Sequence, residues 1–355
     1  MTRPMQAPER AAVPGWARPL PSPVRRIWDP AVFQGGHRRD DYFEGWYVKC
    51  VDAAGATPIA FIPGVSRDET GGTSHSFVQV VRPGGATAYL QYPAQQFHFE
   101  RGRFGVTVGP NRFSATGATL ALDCEGIRVD GELRFGPWRP WPVRLLTPGI
   151  MGWYRFVPRM ECYHGVCSLD HAVDGELVID GETISFDGGR GYVEKDWGRS
   201  FPSSWVWAQS NHFDRPHVSA SVSVAMIPWL GKSFVGFIAG VLIDGELYRF
   251  TTYTGARLTA FQSRYDGAKM TYEDDDYRLD VELEGAVASP LKAPHYGRMV
   301  ARADESLNAE MLLKLTRKHD GTVLLDDCGL HAGCEVMDAK GELSAGVWHP
   351  SEWRR

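Results

Sequence analysis

The chain has 355 residues, 43% of them hydrophobic and 23% charged, with a formal net charge of -5. That is globular composition, long enough for two domains or one large β architecture. It carries no global basic surface, so nucleic acid is not expected as a partner, because phosphate binding needs a clustered positive field. Twelve tryptophans stand out, since large rigid rings line both cores and apolar ligand cavities.

In chain order, residues 1–35 are rich in Pro and Arg and lack an apolar targeting core, which predicts an extended arm rather than a signal peptide. From residue 36 the Asp-Gly dipeptide, the preferred centre of a type I′ hairpin turn, becomes the main local signal. It occurs at Asp130-Gly131, Asp174-Gly175, Asp180-Gly181, Asp187-Gly188, Asp244-Gly245, Asp266-Gly267 and Asp320-Gly321. Apolar and β-branched runs flank several of these, as Leu177–Ile179 and Thr183–Phe186 do around Asp180-Gly181. Helical periodicity is nearly absent, and the end of residues 305–318 reads as a further hairpin strand. Many short strands joined by regular turns predict an all-β fold. The expectation is two consecutive antiparallel barrels or strongly curved sheets, over residues 36–185 and 186–355.

Three segments concentrate polar groups among aromatics. In Asp41–Lys49, alternation puts Glu44, Trp46 and Val48 on one face and Gly45, Tyr47 and Lys49 on the other. Glu44 reads either as a carboxyl with a raised pKa or as the partner of Lys49 or an arginine. In Met160–Cys167, Glu161 and Tyr163 alternate against Cys162 and His164, making His164 a core, cavity or catalytic histidine. In Gly191–Pro202, Glu194, Lys195, Asp196 and Arg199 crowd beside Trp197, Trp205 and Trp207. That segment reads either as an ion-pair latch between the barrels or as a pocket wall. His75 is a further pocket candidate.

Six cysteines form no CxxC pair, and Cys162 and Cys167 have opposite parity on a regular strand, so zinc held by Cys162, His164, Cys167 and His171 is not expected. No stretch approaches the ~20 apolar residues of a membrane span, which predicts a cytoplasmic protein, with peripheral membrane contact left open.

Several segments resemble the tocopherol cyclase family. They are residues 42–49, 61–66, 76–80 and 148–154, then Met160–Gly165 and Glu194–Pro202, the last followed by the Trp205/Trp207 pair. The resemblance implies a lipocalin-like two-barrel fold, a hydrophobic prenyl-lipid substrate, and closure of a prenylated quinol to a chromanol without a cofactor or metal. That chemistry needs a general acid in a dry pocket, aromatic faces for a tertiary cation, and a base for the phenol proton. Glu44, Glu194 and Asp196 are candidates for the acid, with Tyr163 and His164 as relays or quinol-binding groups. Trp46, Trp197, Trp205 and Trp207 are candidate cation-facing rings, and Tyr47, His75, Glu161 and Lys195 complete the substrate-binding set. A noncatalytic prenyl-lipid carrier and an isoprenoid double-bond hydratase are the alternatives, and oligomeric state stays open.

Overall fold

The computed structural model describes residues 24, 26–36, 41–68, 71–83, 87–124, 126–158, 160–229, 231–286 and 288–345. Residues 1–23 and 25 of the expected arm lie outside these. The Asp-Gly signal is realised where it separates two β-forming runs. Asp180 and Gly181 have φ of 53° and 92°, Asp244 and Gly245 have φ of 50° and 90°, and each pair joins two antiparallel strands. Asp130-Gly131 and Asp174-Gly175 instead lie within the strands Ile127–Phe135 and Cys162–Ile179. Residues on both sides of these dipeptides keep partners on the neighbouring strand, and Gly131 (φ 140°) and Gly175 (φ 119°) bring the two backbones close. The hairpin around Asp320-Gly321 joins two long strands, Arg298–Arg317 and Val323–Met337.

Among the described residues, twelve strands form one antiparallel sheet and ten form a second. The first runs in space from Thr87–Pro93 through Tyr42–Val51, Gly189–Gly198 and Cys162–Ile179 to Phe97–Phe99. The second runs from Glu246–Thr251 through Trp205–Ser210, Val323–Met337 and Arg298–Arg317 to Arg257–Arg264. The chain changes sheets between Gly198 and Trp205, so Gly189–Gly198 is a central strand of the first sheet.

Neither sheet closes into a barrel or curls strongly, which corrects the expected lipocalin-like barrels or strongly curved sheets. The two end strands of each sheet do not pair with each other. Closure depends on strand tilt and shear, quantities that turn spacing does not encode. The open edges are managed otherwise. Thr87–Pro93 ends on a proline and is bridged from Thr87 Oγ1 to the Pro290 carbonyl at 3.1 Å.

Of the two clusters of buried apolar residues, one lies with the second sheet, while the other joins the first sheet to Trp205, Trp207, Leu242, Leu291 and Leu307 of the second, and the sheets also meet through buried polar bridges. Gln79 and Lys292 exchange two hydrogen bonds, the Ser66 hydroxyl donates to the Gly297 carbonyl, and the Ser219 hydroxyl donates to the Leu169 carbonyl. Between the sheets lies a cavity with a largely apolar wall, including Phe43, Ile62, Phe77, Phe201, Ile227, Phe234 and Leu291. Among the described residues no helix is long and apolar enough to cross a membrane.

Candidate functional site

The polar end of the cavity rests on three neighbouring strands of the first sheet. Their register aligns Gly45 with Asp196 and Asp196 with His164, while Tyr47 lies opposite Glu194. Side chains alternate across a strand, so Glu194 and Asp196 enter the cavity together while Lys195 and Trp197 point to the opposite face.

His164 sits between the two carboxyls. Its Nδ1 is 2.9 Å from Asp196 Oδ1 and its Nε2 is 3.7 Å from Glu194 Oε2. The same Glu194 oxygen accepts the Tyr192 hydroxyl at 2.5 Å and the Trp207 indole N–H at 3.0 Å. Burial alone would lower the His164 pKa, but the Glu194 and Asp196 carboxylates outweigh it and hold the imidazole up at about 9. Burial pushes Glu194 up to about 7, against the pull of His164. The result is an imidazolium beside a carboxyl that titrates near neutrality. His164 Nε2 is itself buried with no hydrogen-bond partner.

His164, Glu194 and Asp196 each offer a ligand atom, all within 4.8 Å of one another, a donor set that suits a divalent cation. The four residues considered for zinc have other partners. His171 Nδ1 is 3.0 Å from the Ser168 hydroxyl, Cys167 contacts the Gly165 carbonyl, and Cys162 contacts Asp196.

A second carboxyl pair comes from the other sheet. Glu305 and Glu335 are register partners on the Arg298–Arg317 and Val323–Met337 strands, and Trp207 is the next partner across from Glu335. The Tyr47 hydroxyl donates to Glu305 Oε1 at 2.5 Å, and the Trp205 indole N–H donates to Glu335 Oε2 at 2.5 Å. Burial, reinforced by Glu335, holds Glu305 well above the usual carboxyl range, and burial pushes Glu335 up to about 8. Glu305 is 1% exposed, and its Oε2 has no hydrogen-bond partner among the described residues. Both residues line the cavity, and the sequence reading missed them. The one signal for Glu335 was a lone charge in the run Gly333-Cys334-Glu335-Val336-Met337. Glu305 alternates in a strand whose other charges reach solvent, so nothing in its neighbours singled it out.

Of the residues singled out in the sequence, Tyr47, His164, Glu194, Asp196, Trp205 and Trp207 line the cavity. Glu44, Trp46, Tyr163, Lys195 and Trp197 lie behind its wall. Glu44 and Lys195 form a fully buried ion pair at 2.6 Å. The Glu44 carboxylate also accepts the Gln34 and Gly35 backbone N–H groups and the Tyr42 hydroxyl. Lys195 sits over the rings of Trp46 and Trp197, and Tyr163 stacks on Trp197 while donating to the Val157 carbonyl. This cluster anchors residues 32–35 rather than facing a ligand. His75 is held by the Thr73 carbonyl and the Tyr89 hydroxyl, and Glu161 accepts from Tyr296 at 3.3 Å. Neither lines the cavity.

Residues 125–337 match the family model described as tocopherol cyclase-like. A maize (Zea mays) protein named tocopherol cyclase, chloroplastic, is 27% identical over 198 residues, covering 52% of this chain and 41% of that protein. A rice (Oryza sativa subsp. japonica) protein named probable tocopherol cyclase, chloroplastic, is 26% identical over 201 residues, with the same coverage of 52% and 41%. The alignment thus spans well under half of either relative's length. A crystal structure of CghA superposes with a TM-score of 0.52 at 12% identity, covering 94% of this chain and 93% of that one. One of CghA with Sch210972 gives 0.51 at 12% identity, covering 84% and 88%. These two show a shared fold.

Proposed function

The chain belongs to the tocopherol cyclase-like family, and we propose that it closes a prenylated quinol or related isoprenoid to a chromanol-type ether by proton transfer. The cavity's apolar wall would take the prenyl chain, and its polar end would take the hydroquinone ring. The reaction adds a phenol O–H across a trisubstituted alkene. One C–H and one C–O bond form, the alkene π bond and the O–H bond break, and no electrons are gained or lost overall.

Glu305 is the acid. Its buried, neutral carboxyl, with no hydrogen-bond partner for Oε2 among the described residues, delivers the proton to the less substituted alkene carbon. The tertiary cation forms beside Tyr47, Trp205 and Trp207, whose ring faces favour positive charge. The phenol gives up its proton to Glu194, and the His164 imidazolium steadies the developing phenoxide. Asp196 holds His164 in place through Nδ1. The cycle closes when the proton taken up by Glu194 returns to the Glu305 carboxylate by way of Glu335, the register partner of Glu305.

The observation that carries this reading is that two of the cavity carboxyls, Glu305 and Glu335, accept from Tyr47 and Trp205 and form no ion pair with lysine or arginine among the described residues. A carrier needs only an apolar cavity, so its carboxyls would be turned away or paired with cations. Lys195 is instead committed to Glu44, and Arg199 to Asp41. The test is turnover of a prenylated hydroquinone in heavy water. The expected product is a chromanol with one deuterium on the carbon next to the new ether carbon. A tertiary alcohol as product would make the protein a hydratase, and tight binding with no product would make it a carrier.

A further inference from the structure

We propose that the face formed by residues 145–156 and the Trp229 hairpin docks on an anionic lipid surface at the cavity mouth. The face is apolar where a soluble surface is not. Leu145 is 57% exposed, Leu146 74%, Trp153 45% and Phe156 43%. Trp153 and Phe156 lie three residues apart in the 3-10 turn Gly152–Phe156, where such positions eclipse and project together. The patch is continuous. The Trp28 indole N–H donates to the Leu145 carbonyl, Trp28 meets Phe156 edge-on at 6.0 Å, and Trp153 meets Trp229 edge-on at 6.5 Å. Clustered exposed apolar groups of this kind mark an interaction surface.

Charge selects the partner. Residues 136–158 contain no Asp or Glu, in a chain whose net charge is -5; of their arginines Arg155 is turned inward over Tyr163 and Trp197 and Arg139 faces Asp170, which leaves Arg144 for the patch. Residues 226–236 on the adjoining hairpin carry Lys232 and no acid. Arg144 and Lys232 are exposed, and they flank the patch at Leu145 and as the cross-strand partner of Trp229. Tryptophan and basic side chains around an apolar patch suit a bilayer interface, where rings sit at headgroup level and cations meet anionic lipid.

The same segment forms part of the cavity. Met151, Tyr154, Ile227, Phe234 and Tyr253 line it, Tyr154 stacks on Trp153, and the Met151 sulfur accepts the His164 backbone N–H. A prenyl lipid leaving the bilayer at this face therefore meets the cavity lining next. The inference extends the prenyl-lipid reading of the cavity, but its test does not depend on turnover.

The experiment is co-sedimentation of the full chain with phosphatidylcholine vesicles, with and without roughly a third phosphatidylglycerol. Binding is expected to the anionic vesicles, weaker to pure phosphatidylcholine, and reduced by salt. The pair Leu146→Glu and Trp153→Glu should weaken it by roughly tenfold or more. Arg144→Glu should weaken binding to anionic vesicles alone. Neither Leu146 nor Trp153 lines the cavity, so both variants should keep the melting temperature and any turnover of detergent-dispersed substrate. No vesicle binding, or binding unchanged in these variants, overturns the proposal. So does a dimer of the wild type that the double variant breaks, which would make the face a contact between copies. If no substrate is ever turned over while vesicle binding behaves as stated, the cyclase reading fails and the docking face stands.

Discussion

The Tyr47 hydroxyl, on a central strand of the first sheet, donates a 2.5 Å hydrogen bond to Glu305, 258 positions later on the second. That bond joins the two sheets at the polar end of the cavity, and it leaves Glu305 Oε2 as the carboxyl atom without a hydrogen-bond partner among the described residues. The proposed acid is thus placed by a residue from the other half of the chain.

Glu305→Gln keeps the shape and the Tyr47 contact but removes the proton. Turnover should fall by ~100- to 10,000-fold with ligand affinity nearly unchanged, as loss of a general acid requires. Glu194→Gln should fall by a similar factor, whereas Glu44→Gln, behind the wall, should not abolish deuterium incorporation. Steady-state rates beside a fluorescence binding titration measure both quantities. Full activity in Glu305→Gln would remove it from the acid role.

The pH dependence of kcat/KM should be bell-shaped. The base limb rises as Glu194 ionises near pH 7, and the acid limb falls on the alkaline side, with Glu335 losing its proton near pH 8 and burial holding Glu305 well above the usual carboxyl range. In Glu194→Gln the residual activity should lose the limb near pH 7. A flat profile between pH 6 and 9 would contradict the assignment.

Lys195→Met should destabilise the fold by about 3–5 kcal/mol, because it strands Glu44 in a site where both partners are fully buried. Urea denaturation followed by tryptophan fluorescence gives the number. A change below about 1 kcal/mol would show that the Gln34, Gly35 and Tyr42 donors alone satisfy the carboxylate.

Stability should decline as pH rises from about 5 to 8. Glu335 has its folded-state pKa raised to about 8, so over this window it holds its proton in the folded protein and has lost it in the unfolded chain. The stability it contributes is present below the unfolded carboxyl pKa and is lost as pH rises through 8. Glu335→Gln should flatten this slope in denaturation series across the window. Burial of His171, whose pKa is lowered to about 3, acts oppositely below pH 6.5, where the unfolded imidazole takes up a proton first.

Strand parity was legible in the sequence because it is local. Alternation alone placed Glu44 with Trp46 and Tyr47 with Lys49, and the Asp-Gly turns at 180–181 and 244–245 announced their hairpins. The motif segments likewise pointed to the family. Which face of each strand looks into a cavity is not local, because it depends on how two sheets pack. Register within the first sheet set Glu44 beside Lys195, 151 positions apart, and the packing of the sheets left both facing away from the cavity. That packing also brought Glu305 to Tyr47 of the first sheet, while register within the second sheet set Glu335 beside Trp205 and Trp207. The openness of both sheets was decided at the same level, because tilt and shear are properties of many strands together.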